Sequence, residues 1–141
     1  MKVLIDTSVW SIALRRPSRR LDAAQTRCRD EVARLITDDL VALVGPIRQE
    51  LLSGVREAAA FERLLTHLQP FPDEPLLTAD FEAAARLSNQ CRPAGVAGSL
   101  VDFLICAVAR ARDWSIYTTD RDFERYARVV PLRLHAPVPD P

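Results

Sequence analysis

Lysine is almost missing from this chain: of 19 basic residues, 18 are arginine and Lys2 stands alone. A GC-rich genome produces that bias as readily as phosphate binding does, so the bias by itself decides neither. Cysteine is sparse as well. Cys28, Cys91 and Cys106 are odd in number, far apart and free of any C-x-x-C pair, which excludes a disulfide framework and a cysteine-based zinc site. All three are expected to be reduced and buried. The only histidines, His67 and His135, fall in unrelated segments, so catalysis here is expected to run on carboxylates. No apolar run reaches the ~18 residues that a membrane span requires. Met1-Lys2-Val3-Leu4-Ile5-Asp6 meets an acid before the apolar region of a signal peptide can develop, so the expected location is the cytoplasm. Net charge is zero, with 19 basic and 19 acidic residues. That argues against a protein coating nucleic acid by bulk charge. It leaves open one whose acids are gathered in a single site.

What is present is ordinary globular material. With 141 residues, 48% of them hydrophobic and 27% charged, the chain suits one compact domain with a substantial core. Val3-Leu4-Ile5 reads as a short strand, and Thr7-Ser8 as caps for a helix to about Leu14. Arg15 to Arg20 reads as a basic loop broken by Pro17. Apolar positions then recur at helical spacing from Leu21 to Ile36. Leu40 to Val44 is a buried strand, and Pro46 opens a helix carrying Ile47, Leu51 and Leu52. A helix follows from Glu57 to Leu68, then an extended proline-rich stretch from Pro70 to Pro75. Thr78 or Asp80 caps a helix to about Cys91, and Ser99 opens another to about Arg112 after a loop marked by Gly95 and Gly98. Ser115 to Thr118 is a strand, Asp122 to Tyr126 a short helix, and Val129 to Leu132 an edge strand. Alternating strands and helices imply a three-layer α/β/α sandwich around a short, mostly parallel sheet. The expected organisation is a single domain over residues 1–135, with 136–141 as a disordered tail.

Four acids stand where an acid is locally unexpected. Asp6 ends the first strand, at the sheet edge where ligands bind in open α/β folds; a helix cap is the plainer explanation. Asp120 repeats the arrangement after the strand ending at Thr118, with Asp122 as rival for the same role. One of that pair is expected to be a cap. Asp102 interrupts an apolar helix stretch from Leu100 to Ala109. A helix that apolar should be buried nearly all round, so its carboxylate must be paired with an arginine, protonated or metal-bound. Glu50 lies in the first turns of its helix, where an acid also suits the dipole on a solvated face.

Two acids at strand ends and two on covering helices can converge above one sheet edge. Clustered carboxylates repel unless cations neutralise them. Hard Mg²⁺ or Mn²⁺ suits such an oxygen-only set, and the site could then activate water against a phosphodiester. Setting the four aside leaves 19 basic against 15 acidic residues, a mildly basic remainder suited to a nucleic-acid backbone.

Four segments carry a family resemblance spanning essentially the whole chain: Val3-Leu4-Ile5-Asp6-Thr7-Ser8-Val9-Trp10, Ile47-Arg48-Gln49-Glu50-Leu51-Leu52-Ser53-Gly54, Ser99-Leu100-Val101-Asp102-Phe103-Leu104-Ile105-Cys106-Ala107 and Thr118-Thr119-Asp120-Arg121-Asp122-Phe123. In order and spacing the chain resembles the PIN-domain nucleases, and within them the VapC-type toxins of bacterial toxin–antitoxin pairs. The resemblance implies a metal-dependent endoribonuclease acting on structured RNA such as tRNA or rRNA. It implies a cation held chiefly by Asp6 and Asp102, with Asp120 as a further ligand and Glu50 direct or through water. Ser8 and Thr119 match polar positions lining such sites. The resemblance further implies a homodimer silenced by a VapB-type antitoxin. Cys106 departs from the alanine common at its position and should be a tolerated core residue. The Arg15 to Arg20 loop is unusually basic and is expected to touch RNA phosphates.

Other readings fit less well. A haloacid-dehalogenase-type phosphohydrolase needs an acid where Ser8 stands. A serine hydrolase lacks its G-x-S-x-G signature. Gly95-Val96-Ala97-Gly98 has no KH pattern around it. A DNA-directed, structure-specific nuclease needs more acids and helical arches than 141 residues accommodate. The remaining alternative is a catalytically inactive PIN-like RNA- or protein-binding module, against which retention of all four acids argues.

Overall fold

Three consecutive apolar residues, Val3, Leu4 and Ile5, offer no polar face, and the chain buries them on both sides. In the computed structural model, which describes residues 1–139, Val3–Ile5 is the central strand β1. It is flanked by Val41–Ala42 (β2) and Ser115–Tyr117 (β3), in the order β2-β1-β3. Both pairings are parallel, with Leu4 opposite Ala42 on one side and Ile116 on the other. Parallel neighbours require crossover connections, which lie in the first six of the seven α-helices among the described residues: Thr7–Trp10 (α1), Ala23–Thr37 (α2), Gly45–Ser53 (α3), Ala58–Leu68 (α4), Thr78–Cys91 (α5) and Leu100–Arg112 (α6), with Asp122–Val129 (α7) following β3. α1 packs on α2 and α3, and α3 on α4. α5 lies along α6, which rests on β3. The architecture is the three-layer α/β/α fold that the alternating pattern implies.

Local chemistry accounts for most boundaries. Asp22 and Gln25 form a reciprocal capping box at the start of α2, with the Gln25 N–H donating to Asp22 Oδ1 at 2.8 Å. Pro46 occupies the first turn of α3, where its missing N–H is harmless. Asp80 caps α5 from its third position by accepting the Leu77 N–H at 2.8 Å. Asp113, with φ 58°, turns the chain out of α6 towards β3. Cys28, Cys91 and Cys106 are free and buried, as expected.

Several expectations are corrected. Thr7 and Ser8 do not cap α1; Asp6 holds that position, and both hydroxyls turn to carboxylates instead. The helix runs on through a π-type turn, Ser11–Arg15, and Ser18–Arg20 is a single 3₁₀ turn, so less of the basic segment is loop than Pro17 suggested. The second strand is only Val41–Ala42. Beyond it the ladder passes to the proline-rich stretch, where Leu43 bridges Asp73 and accepts the Glu74 N–H at 2.8 Å. Val129 to Leu132 is not a strand. Val129 ends α7, Pro131 brings no N–H, and the edge contact falls later, where Leu134 bridges Ile116. Leu100 is not part of a buried stretch but 86% exposed, because α6 enters the core only from Phe103 onward. Of the expected tail, Ala136 to Pro139 has no helix or strand, and 140–141 lie outside the described residues.

Candidate metal centre

β1 and β3 run in the same direction, so their carboxyl ends open side by side. The Asp6 N–H still donates to the Tyr117 carbonyl at 2.9 Å, continuing the ladder one residue past the strand. Asp6 is 7% exposed, and its Oδ2 accepts hydrogen bonds from Ser8 Oγ and Thr118 Oγ1, each at 2.9 Å. Those hydroxyls themselves accept backbone donors: Thr119 N–H reaches Ser8 Oγ at 3.1 Å and Asp120 N–H reaches Thr118 Oγ1 at 3.0 Å. A lattice of short hydroxyls thus fixes Asp6 against the turn that delivers Asp120. Thr118, which the sequence did not single out, supplies the side-chain contact; Thr119 contributes its backbone.

Asp102 arrives from the first turn of α6, its N–H capped by Ser99 Oγ at 3.0 Å. No arginine pairs with it among the described residues. The Tyr126 hydroxyl donates to its Oδ2 at 2.6 Å. Asp120 Oδ1 accepts the Asp122 N–H at 2.9 Å, so Asp120 makes the helix-opening bond at α7. Asp122 pairs with Arg125 one turn later. One oxygen from each of Asp102, Asp120 and Asp122 lies within 4.8 Å of the others. Asp122, weighed as a rival to Asp120, therefore stands beside it. Asp6 and Glu50 both stand outside that trio; Glu50 is exposed on α3, and its Oε2 accepts from Thr7 Oγ1 at 2.7 Å, which ties α3 to α1.

A common pattern runs through these acids. Asp6, Glu50, Asp102 and Asp120 each have one carboxylate oxygen engaged by a protein donor. For each, no donor among the described residues reaches the other oxygen. The electrostatics agree with a shared site. Burial pushes the Asp102 carboxyl above its ordinary range, Tyr126 and Ser99 counter this, and the charges of Asp6 and Asp120 push it further up. The trio Asp102, Asp120 and Asp122 fits a hard divalent cation. Oxygens sharing one Mg²⁺ or Mn²⁺ stand at most about 5 Å apart, and ligating carboxylates are usually held by hydrogen bonds on their far oxygen.

Asp6 and Asp120 follow the carboxyl ends of β1 and β3, where open α/β sheets bind ligands. A cavity of about 750 Å³ lies elsewhere, among Lys2, Asp39, Val41 and Trp114 at the strands' amino ends, and none of the cluster lines it.

The PIN domain profile matches residues 3–129. The chain belongs to the PIN domain family. No curated protein matches it by sequence. Among solved structures this PIN domain is similar to FitAcB from Neisseria gonorrhoeae, with a TM-score of 0.75 and 21% identity over 96% of this chain and 97% of that one. It is also similar to VapBC2 from Rickettsia felis bound to a DNA fragment from their promoter, with a TM-score of 0.74 and 16% identity, covering 96% and 98% of the two chains. FitAB bound to an IR36 DNA fragment matches at a TM-score of 0.74 and 20% identity, covering 96% and 94%. At these identities the likeness is one of fold. PIN domains are generally nucleases, and an acid cluster at the strand ends is what a metal-dependent one requires.

Proposed function

We propose that this PIN domain is a Mg²⁺-dependent endoribonuclease toxin, with Mn²⁺ as a possible substitute, neutralised by a VapB-type antitoxin. The observation that carries the reading is the half-engaged state of its acids, with one oxygen anchored and one left for a cation on Asp6, Glu50, Asp102 and Asp120 alike. Asp6 and Asp102 would be the principal ligands, Asp120 a further one, and Glu50 would act from the rim directly or through water. A cation bound there supplies Lewis-acid activation of water and charge neutralisation at the phosphodiester. Ser8 and Thr118 hold Asp6 in place through two hydroxyl donors on one carboxylate oxygen. Thr7 limits the swing of Glu50 across the mouth of the site. Hydrolysis by this route leaves 5′-phosphate and 3′-hydroxyl ends.

An antitoxin partner is supported by the neighbours, described as VapBC2 on its promoter fragment and FitAB on DNA. A homodimer belongs to the same reading. Phe81 and Leu100 are exposed on an apolar cleft also lined by Ala84, Val101 and Phe103, a face that a second copy would cover. No helix among the described residues is long and apolar enough to cross a membrane.

The deciding experiment incubates purified, antitoxin-free protein with total cellular RNA in Mg²⁺, Mn²⁺ or EDTA, beside an Asp6→Asn/Asp102→Asn variant. Discrete fragments that vanish with EDTA and with the variant are expected. No cleavage by folded protein in either metal would favour an inactive binding module. Cyclic phosphate ends would contradict attack by water.

A further inference from the structure

Tyr126 lies behind the acid cluster on α7, in a segment whose sequence shows only an amphipathic helix. Its side chain is 0% exposed. The ring is held between Phe103, the residue after Asp102, and Phe123, the residue after Asp122, at centroid distances of 5.1 and 5.2 Å. The hydroxyl also fills the space left by a missing side chain: a Cβ on Gly98 would fall 2.3 Å from the Tyr126 oxygen and 2.7 Å from Cζ. A buried phenol needs a partner, and this one donates to Asp102 Oδ2 at 2.6 Å. Asp102 is thus held at two points, its backbone by Ser99 and its carboxylate by Tyr126.

On the reading of the cluster given above, we propose that Tyr126 is a positioning residue for the metal centre. Its hydroxyl engages Oδ2 of Asp102 and so fixes the rotation of the carboxylate that would hold the cation. The packing leaves the phenol no second position. Phe103 and Phe123 pack against the ring on two sides, and the hydroxyl takes up the space that any side chain at Gly98 would need. Without the hydroxyl, the carboxylate regains rotation about its terminal bond, and Oδ2 becomes an unpaired oxygen in a half-buried site.

The test measures Mn²⁺ affinity by electron paramagnetic resonance on the full, antitoxin-free chain, with Mg²⁺ as competitor, for wild type, Tyr126→Phe, Gly98→Ala and Asp102→Asn. Thermal melts establish which variants are folded. Folded Tyr126→Phe is expected to bind Mn²⁺ about 10- to 100-fold more weakly, the usual effect of removing an outer hydrogen bond to a metal ligand. Gly98→Ala, which displaces the hydroxyl without deleting it, should weaken binding in the same direction. Folded Tyr126→Phe within twofold of wild type overturns the proposal, as does unfolding of both variants, which would assign the hydroxyl to the fold alone. If wild type itself binds no Mn²⁺, the reading of the site fails. If wild type binds, Asp102→Asn does not and Tyr126→Phe matches wild type, only the role of Tyr126 fails.

Discussion

Arg112 grips Asp80 with both arms of its guanidinium, Nη1 to Oδ1 and Nη2 to Oδ2, each at 2.9 Å. Asp80 is 4% exposed. The same arginine reaches Glu74 at 2.8 Å and the Pro75 carbonyl at 3.0 Å, so one side chain joins the end of α6, the start of α5 and the proline-rich stretch. Removing one member leaves the other charge desolvated without its partner. Arg112→Ala is expected to destabilise the fold by about 2–4 kcal/mol, read as a lower urea midpoint with an unchanged slope. A loss under 1 kcal/mol would show that water replaces the pairing.

The acid limb of stability should follow from two carboxylates. Arg112 holds the Asp80 carboxyl below its ordinary range despite burial. Arg34 hydrogen bonds, opposed by burial and helped by His135, bring Glu31 down to about 2. Both groups release protons more readily in the folded chain than in the unfolded one. The stability they confer is complete above the ordinary carboxylate range, around pH 5, and is lost as pH falls through about 4 towards 2. Unfolding midpoints at pH 7 and pH 4 should therefore differ less in an Asp80→Asn/Glu31→Gln variant than in wild type. An unchanged difference would place the acid sensitivity elsewhere.

Part of the candidate site was legible because an acid beside an apolar run is conspicuous. Asp6 after Val3-Leu4-Ile5 and Asp102 before Phe103-Leu104-Ile105 stand out whatever the fold, and period and turn chemistry place both near strand or helix ends. Asp122 was harder to place, because a helix-opening acid explains itself locally and only the folded turn brings it within reach of Asp102. Thr7, Thr118 and Tyr126 carry no sequence signal; each matters through a partner 24 to 112 positions away. The edge strand at Val129 to Leu132 failed for a related reason. Its apolar pattern satisfies the last turn of α7 equally well, and Pro131 removes the donor that a ladder would need.

Asp102 should trade stability for function. Its carboxylate is half-buried, pushed up first by burial and further by the charges of Asp6 and Asp120. Asn keeps an oxygen for the Tyr126 hydroxyl while turning an amide donor towards the neighbouring acids. Asp102→Asn is therefore expected to raise the melting temperature in EDTA by roughly 3 °C, corresponding to about 1 kcal/mol for a domain of this size. Mg²⁺ should raise the melting temperature of wild type and leave the variant unmoved. A variant less stable than wild type in EDTA would mean that the acid contributes to the fold rather than straining it.

The basic segment before α2 should hold the RNA backbone. Arg16, Arg19 and Arg20 are exposed and make no ion pair among the described residues. Arg15 differs, because it donates to the Gly54 carbonyl at 3.2 Å and so anchors the segment to the end of α3, the helix carrying Glu50. The three guanidiniums thereby sit on a segment fixed to the end of α3, exposed and without an ion-pair partner among the described residues. Replacing all three with alanine, in the Asp6→Asn/Asp102→Asn background to prevent cleavage, should weaken RNA binding roughly tenfold. It should also reduce the slope of log affinity against log salt by about 2, since each phosphate contact on a single strand contributes about 0.7. Arg15→Ala should instead lower stability more than it lowers the salt slope. Affinity and slope both unchanged in the triple variant would remove this segment from the RNA path, even if the cleavage assay had already shown a ribonuclease.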